Sequence, residues 1–157
     1  MKIAVGNSRK AKTWVNQDVT FDQLAQRLCS TVYTTETIEE YSRLPKGRRD
    51  EIKDIGGFVG GQLKAGRRRK GMVLSRSCLT LDLDYATPYT WGQHIAPLPY
   101  RLVCHSTHRH TPENPRLRLV IPLTREVTEA QYPALARMFA STVGMDFSMT
   151  RPMRRTG

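Results

Sequence analysis

Residues 73–83, VLSRSCLTLDL, alternate with a period of two. Leu79, Leu81 and Leu83 fall on one side, and Cys78, Thr80 and Asp82, continued by Asp84, fall on the other. Such alternation predicts a β-strand with one face in a core. Residues 116–121 repeat the pattern, with Arg116, Arg118 and Val120 opposed to Leu117, Leu119 and Ile121. A further strand is expected over 100–106, after a connection containing Pro88, Pro97 and Pro99, and shorter strands at 2–5 and 12–15.

Helical spacing appears in three places. Thr20 with Gln23 three residues later has the form of a capping box, Val19 and Leu24 are placed for a hydrophobic staple, and Phe21, Leu24, Ala25 and Leu28 share one helical face. Residues 35–43 predict a second helix, acidic at its start and ended by Pro45. Residues 128–143 predict a third, capped by Thr128 and Gln131, with Tyr132, Leu135, Ala136, Phe139 and Val143 as its apolar stripe and Gly144 as its stop. The Gly- and charge-rich stretch 46–71 reads as loop. Strands and helices in this mixed order predict an α+β fold with a largely antiparallel sheet and no internal repeat.

Composition narrows the class. At 157 residues and 39% hydrophobic, the chain suits one domain with a packed core. No apolar run reaches the length of a membrane span or of a signal-peptide core. Three cysteines without a C-x-x-C do not form a disulfide framework, which favours a reducing cytoplasm. The net charge is +11, and residues 46–76 carry +7 of it, from ten basic and three acidic side chains. Its densest part is GRRRKG at 66–71, a glycine-bracketed run of Arg67, Arg68, Arg69 and Lys70 that reads as a flexible loop. Alone such a run is most simply a solvated surface. A second cluster, Arg151, Arg154 and Arg155, with Arg116 and Arg118, shifts the expectation toward a polyanionic partner. The glycines of GGFVGG at 56–61 are not a phosphate-binding P-loop, because no G-K-[ST] follows; they mark a turn or a close backbone approach.

Three groups of residues carry chemistry. Asp82 and Asp84 stand two apart on a strand, so their carboxylates project from one face with Cα atoms roughly 6.5–7 Å apart. Like charges there repel, and hard oxygen donors so placed suit Mg²⁺ or Mn²⁺; Asn at both positions would relieve the repulsion. The alternative is a strand end running out into solvent. Residues 104–112, CHSTHRHTP, hold three of the four histidines. They could form a zinc site from Cys104, His105, His108 and His110, or a phosphate-binding loop in which a hydroxyl, an imidazole and Arg116 and Arg118 converge. Asp146 follows the last helix, either as a turn residue or as a third acidic ligand returned to the sheet.

Taken in order, LSRSCLTLDLDY (74–85), HSTHRHTPENPRLRLVIPL (105–123) and VGMDFSMTRPMR (143–154) resemble the archaeo-eukaryotic primase superfamily. The likeness is strongest to the primase-polymerase domains of phages and integrated elements, often fused to virulence-associated-E-type helicases. TTETIEEY (34–41) and IKDIGGFVGGQLKAGRRRK (52–70) are similar to the leader of that group, so the resemblance covers nearly the whole chain. It implies an RRM-like catalytic sheet over 72–157 with flanking helices, packed against an N-terminal α/β module over 1–71. Asp82, Asp84 and Asp146 would be catalytic metal ligands for Mg²⁺ or Mn²⁺, and Ser106, His110, Arg116 and Arg118 would bind the nucleotide. His108 and His110 both compete for the motif histidine, and His110 is preferred because Thr111-Pro112 follows it directly. The implied activity is template-directed nucleotidyl transfer on single-stranded DNA with an NTP or dNTP, in a chain expected to be a fragment of a longer, helicase-bearing protein. A metal-dependent nuclease and an inactive nucleic-acid-binding remnant are the alternatives.

Overall fold

A computed structural model describes residues 1–144, together with the backbone of 150–152. Two antiparallel sheets and four α-helices give an α+β fold. The smaller sheet has the order β2-β1-β3, from β1 (Lys2–Gly6), β2 (Val15–Asp18) and β3 (Gly57–Val59). The larger runs β4-β5-β7-β6, from β4 (Gly61–Leu63), β5 (Val73–Leu83), β6 (Val103–Ser106) and β7 (Leu117–Val127). The last described strand, β8 (Thr150–Pro152), pairs with Leu81–Leu83 on the edge of β5 that β4 occupies further back.

The alternation in β5 is realised as read. Leu79, Leu81 and Leu83 pack with Leu119 and Ile121 of β7 against Ala136 and Phe139 of α4 (Tyr132–Thr142) and Ile95 of a π-helical turn at Trp91–Ile95. On the other face Cys78, Val103 and Val120 meet Ile3, Phe58 and the Phe21 and Leu24 side chains of α1 (Phe21–Cys29). A third cluster, Ala4, Trp14, Val59 and Leu63, fills the seam between the sheets. The central strand therefore serves two cores, and each uses alternate residues.

Both capping boxes form. Thr20 and Gln23 exchange bonds of 2.8 and 3.1 Å. Thr128 and Gln131 do the same at 3.0 and 3.2 Å, although the regular part of α4 starts only at Tyr132. A third box, Thr37 with Glu40, sets the start of α2 (Ile38–Arg43), later than the expected residue 35.

Three expectations change. Residues 46–71 are not mainly loop: they contain α3 (Lys46–Ile52), β3 and β4. The strand expected at 12–15 lies at Val15–Asp18, where Lys2 to Val5 impose the register and the exposed side chains supply no apolar alternation. β6 is shorter than 100–106, because Tyr100 leaves the sheet to pack its ring 5.7 Å from that of Phe139.

The glycines of GGFVGG are a close approach, as their pattern implies. The chain passes from one sheet to the other at Gly60, between β3 and β4, rather than at the basic loop near residue 71. There the Ser77 N–H donates to the Gly60 carbonyl at 2.9 Å, and the buried Ser77 hydroxyl donates to the Lys2 carbonyl. A Cβ at Gly60 would stand 2.1 Å from the Cys78 Sγ, and one at Gly61 would stand 1.9 Å from the Ser75 carbonyl oxygen. Gly60→Ala should therefore cost about 1–3 kcal/mol, read as a lower midpoint in urea, whereas Gly47→Ala, with open space around it, should not lower that midpoint.

Candidate functional site

On the face of β5 that carries Cys78, Asp82 follows Thr80; the strand ends at Leu83, and Asp84 lies in the turn that follows. Antiparallel register places Arg118 of β7 opposite Asp82 and His105 of β6 opposite Arg118, so the three share one rung. The Arg118 Nε donates to Asp82 Oδ1 at 2.5 Å, with the side chains 26% and 19% exposed. Just past the paired strands, the Arg116 guanidinium lies 3.7 Å from Asp84 Oδ1 and donates to the Asp84 carbonyl. Each carboxylate thus has its own cation. The expected gain from neutralising the pair is corrected accordingly: Asn at either position removes an ion pair rather than a bare repulsion.

The same sheet end carries a cleft of about 440 Å³. Pro88, Trp91, His105, Ser106, His110 and Pro112 are among the residues that line it. Two of the sequence-selected nucleotide residues, Ser106 and His110, therefore share one concavity. Arg116 links it to the acidic rungs, since its N–H donates to His110 Nδ1 at 3.2 Å while its guanidinium reaches Asp84.

The three histidines divide by their hydrogen bonds. His110 accepts on Nδ1, so its neutral ring carries the proton on Nε2, a donor suited to an anion and without a lone pair for a metal. His108 stacks on the buried Tyr41 ring at 4.3 Å, and its Nε2 lies 3.4 Å from the Thr34 hydroxyl, so it anchors the loop to α2. His105 donates from Nδ1 to the Ser106 carbonyl at 2.9 Å, which leaves an Nε2 lone pair buried and, among the described residues, without a partner. Burial pulls its pKa below the usual 6.5. Cys104 packs partly buried against the core under α4 and also lines the cleft, and burial pushes its thiol up to about 11. Among the described residues no three His, Cys, Asp or Glu side chains are grouped to hold a metal.

Asp146 lies outside the described residues, as do Arg154, Arg155 and the Arg151 side chain. What remains for a divalent cation is Asp82, at the end of β5, and Asp84, in the turn after it. Mg²⁺ is commonly held by one or two carboxylates with water and substrate phosphates completing the octahedron, and this donor set fits that pattern.

The basic loop is less loose than its glycines imply. The Lys64 N–H donates to the Met72 carbonyl at 2.8 Å, closing the β4–β5 connection, and bonds from Arg67, Arg69 and Met72 turn the chain within it. Arg68 lies 4.8 Å over the Trp14 ring, and burial lowers its pKa. Arg67, Arg69 and Lys70 are exposed. Sequence reasoning passed over Trp91; its signal was a tryptophan, with Tyr85, Tyr89 and Tyr100 nearby, inside a polar connection.

The model of one protein family, described as the VapE N-terminal domain, matches residues 1–151. No curated protein and no solved structure matches. Among the described residues no helix is long and apolar enough to cross a membrane.

The histidine geometry makes a paired prediction. His108→Ala should lower stability by about 1–2 kcal/mol and leave the affinity for a triphosphate unchanged. His110→Ala should weaken triphosphate affinity about tenfold, because a hydrogen bond to a charged oxygen is lost. Melting temperature and calorimetric titration of both variants check it.

Proposed function

This chain belongs to the VapE N-terminal domain family, a replication-associated domain of phages and mobile elements often fused to helicases, and from that membership we propose that it performs template-directed nucleotidyl transfer. The product is a primer or an extended DNA strand, made on single-stranded DNA from an NTP or dNTP. The observation that carries the proposal is that Asp82 is paired with Arg118 and Asp84 with Arg116, and that Arg116 also bonds the ring of His110, which lines a cleft together with Ser106.

In this reaction Asp82 and Asp84, with Asp146 as the third ligand, would hold Mg²⁺ or Mn²⁺. Such an ion neutralises phosphate charge and lowers the pKa of an attacking hydroxyl. Arg116 and Arg118 supply guanidiniums whose planar forks match phosphate oxygens as well as carboxylates. His110 donates from Nε2 to a phosphate oxygen, with its ring held by the Arg116 N–H. Ser106, exposed at the end of β6, donates its hydroxyl to the same group. Catalysis here is positioning and charge neutralisation. Arg67, Arg69 and Lys70 contact template phosphates without reading sequence.

Extension of a labelled primer on a single-stranded template, with Mn²⁺ and all nucleotides, tests the proposal. Wild type should lengthen the primer, and Asp82→Asn with Asp84→Asn should abolish extension and Mn²⁺ binding in the presence of nucleotide while the fold persists. Shortening of the strand with metal alone would instead make the site a nuclease. Template binding supplies a second check. Arg67, Arg69 and Lys70 all replaced by Ala should flatten the log–log salt dependence of oligonucleotide affinity by roughly 0.7 per contact. Arg68→Ala should flatten it less and should also destabilise the fold, since its guanidinium lies on Trp14.

A further inference from the structure

We propose that Arg68 and Arg76 together hold one phosphate of a nucleic-acid strand, where β5 runs from the basic loop toward Asp82. The inference rests on the template reading above and adds a built phosphate site to the exposed cations of the loop. The two guanidiniums are placed alike. Arg68 lies 4.8 Å over the Trp14 ring, and Arg76 lies 4.8 Å over the Tyr132 ring. Both rings are fixed by hydrogen bonds. The Trp14 backbone N–H donates to the Gly66 carbonyl at 2.8 Å, and the Tyr132 hydroxyl accepts from the Thr80 N–H at 2.9 Å. A guanidinium on an aromatic face can keep its N–H edge free for an anion.

Neither cation has a counter-charge of its own. Among the described residues neither forms an ion pair, and the Arg76 Nε is shielded from solvent without a hydrogen-bond partner. A buried donor left unpaired is unfavourable. The cations also act on one another: burial lowers the Arg68 pKa, and the charges of Arg76 and Arg118 lower it further. Asp54, whose charge opposes theirs, already accepts from the Ser8 hydroxyl at 2.6 Å and the Arg9 N–H at 2.7 Å. Arg118 is engaged by Asp82. An anion shared by Arg68 and Arg76 would compensate both and take the free Nε–H. A phosphodiester suits them, with one charge and two unbridged oxygens for two guanidinium forks. Free phosphate has the same chemistry, but the surroundings favour a strand. Arg67, Arg69 and Lys70 flank Arg68 and are exposed, and Arg118, whose charge reaches Arg68, sits beside Asp82. Trp14 is buried and the Tyr132 ring carries Arg76, so neither ring is open to a base and the contact carries no sequence information.

Arg68→Met and Arg76→Met keep a side chain on each ring and remove the charge. Affinity for a single-stranded oligonucleotide is titrated against salt, without nucleotide or metal. Each variant should bind about tenfold more weakly than wild type. The double variant should be no more than about threefold weaker than either, with a log–log slope flatter by roughly 0.7, the value for one phosphate. Arg76→Lys, which keeps the charge and loses the fork, should weaken binding with the slope unchanged; it carries the same test should Arg76→Met fail to fold. Arg27→Met, at an exposed position in the last turn of α1, removes an equal charge and should bind as wild type does. The inference is overturned if Arg27→Met matches Arg76→Met, if the two losses multiply in full, or if Arg76→Met binds the oligonucleotide normally. Inorganic phosphate separates the sources. If it raises the melting temperature of wild type but not of Arg76→Met while both bind the oligonucleotide equally, the site takes free phosphate and the strand is excluded. Absence of primer extension would remove the nucleotidyl-transfer reading and leave these binding results standing.

Discussion

One strand longer than its cover organises this molecule. The eleven residues of β5 alternate between two cores, and the face that holds Cys78 is roofed by α1 and the N-terminal sheet only as far as Thr80. Past that point the period of two brings Asp82 to the same face before the strand ends at Leu83, and Asp84 follows in the turn. Apolar residues there would expose a patch, whereas carboxylates set against arginines remain hydrated and neutralised. The opposite face shows the converse: Leu81 and Leu83 at the same level are fully buried beneath α4 and the 91–95 turn. Position along β5, more than any local feature, separates core from site.

What could be read from sequence follows from which forces are local. Period-two alternation fixes which residues share a face in β5 and β7, and Thr20, Gln23, Thr128 and Gln131 announce helix starts through bonds between residues three apart. Both are properties of the chain with itself. β3 and β4 are three residues each, glycine-bearing, and separated by Gly60 alone, and they are strands only because β1 and β5 present edges to them. Helix α3 has a glycine and mostly charged residues, has no side-chain cap, and is held by Asp50 with Lys46 and Lys53 and by contacts to Arg9. Tertiary context decides such elements, and no window of sequence contains it.

At the site the same division holds. That Asp82 follows Cys78 and Thr80 on one face was legible; that Asp82 and Asp84 each have an arginine was not, because pairing depends on the register of β7. This register includes a bulge where Arg76 faces Val127 but Cys78 faces Pro122, so two steps along β5 match five along β7. The choice of His110 over His108 rested on the neighbouring Thr111-Pro112, and the two rings have different surroundings in the fold. Tyr41 and Thr34, more than sixty residues earlier in the chain, engage His108, while a backbone N–H orients His110 toward the cleft. Trp91 escaped notice for the opposite reason, since a lone aromatic in a proline-rich connection has no periodicity to display.

The arginine pairing also constrains how the proposed reaction can be assembled. A guanidinium engaged with Asp82 at 2.5 Å cannot simultaneously present the same edge to a phosphate. Arg118 is released for a triphosphate only when something else compensates Asp82, and the same holds for Arg116 and Asp84. In the proposed function that compensation is a divalent cation, so cation and triphosphate binding should each favour the other by the same factor. Arg116 has a further part in this exchange. Its backbone N–H keeps the His110 ring oriented whichever partner its side chain takes, so the donor from His110 stays in place while the guanidinium moves. The residue that changes partner and the residue that stays are thus joined through a main-chain bond that the exchange need not break.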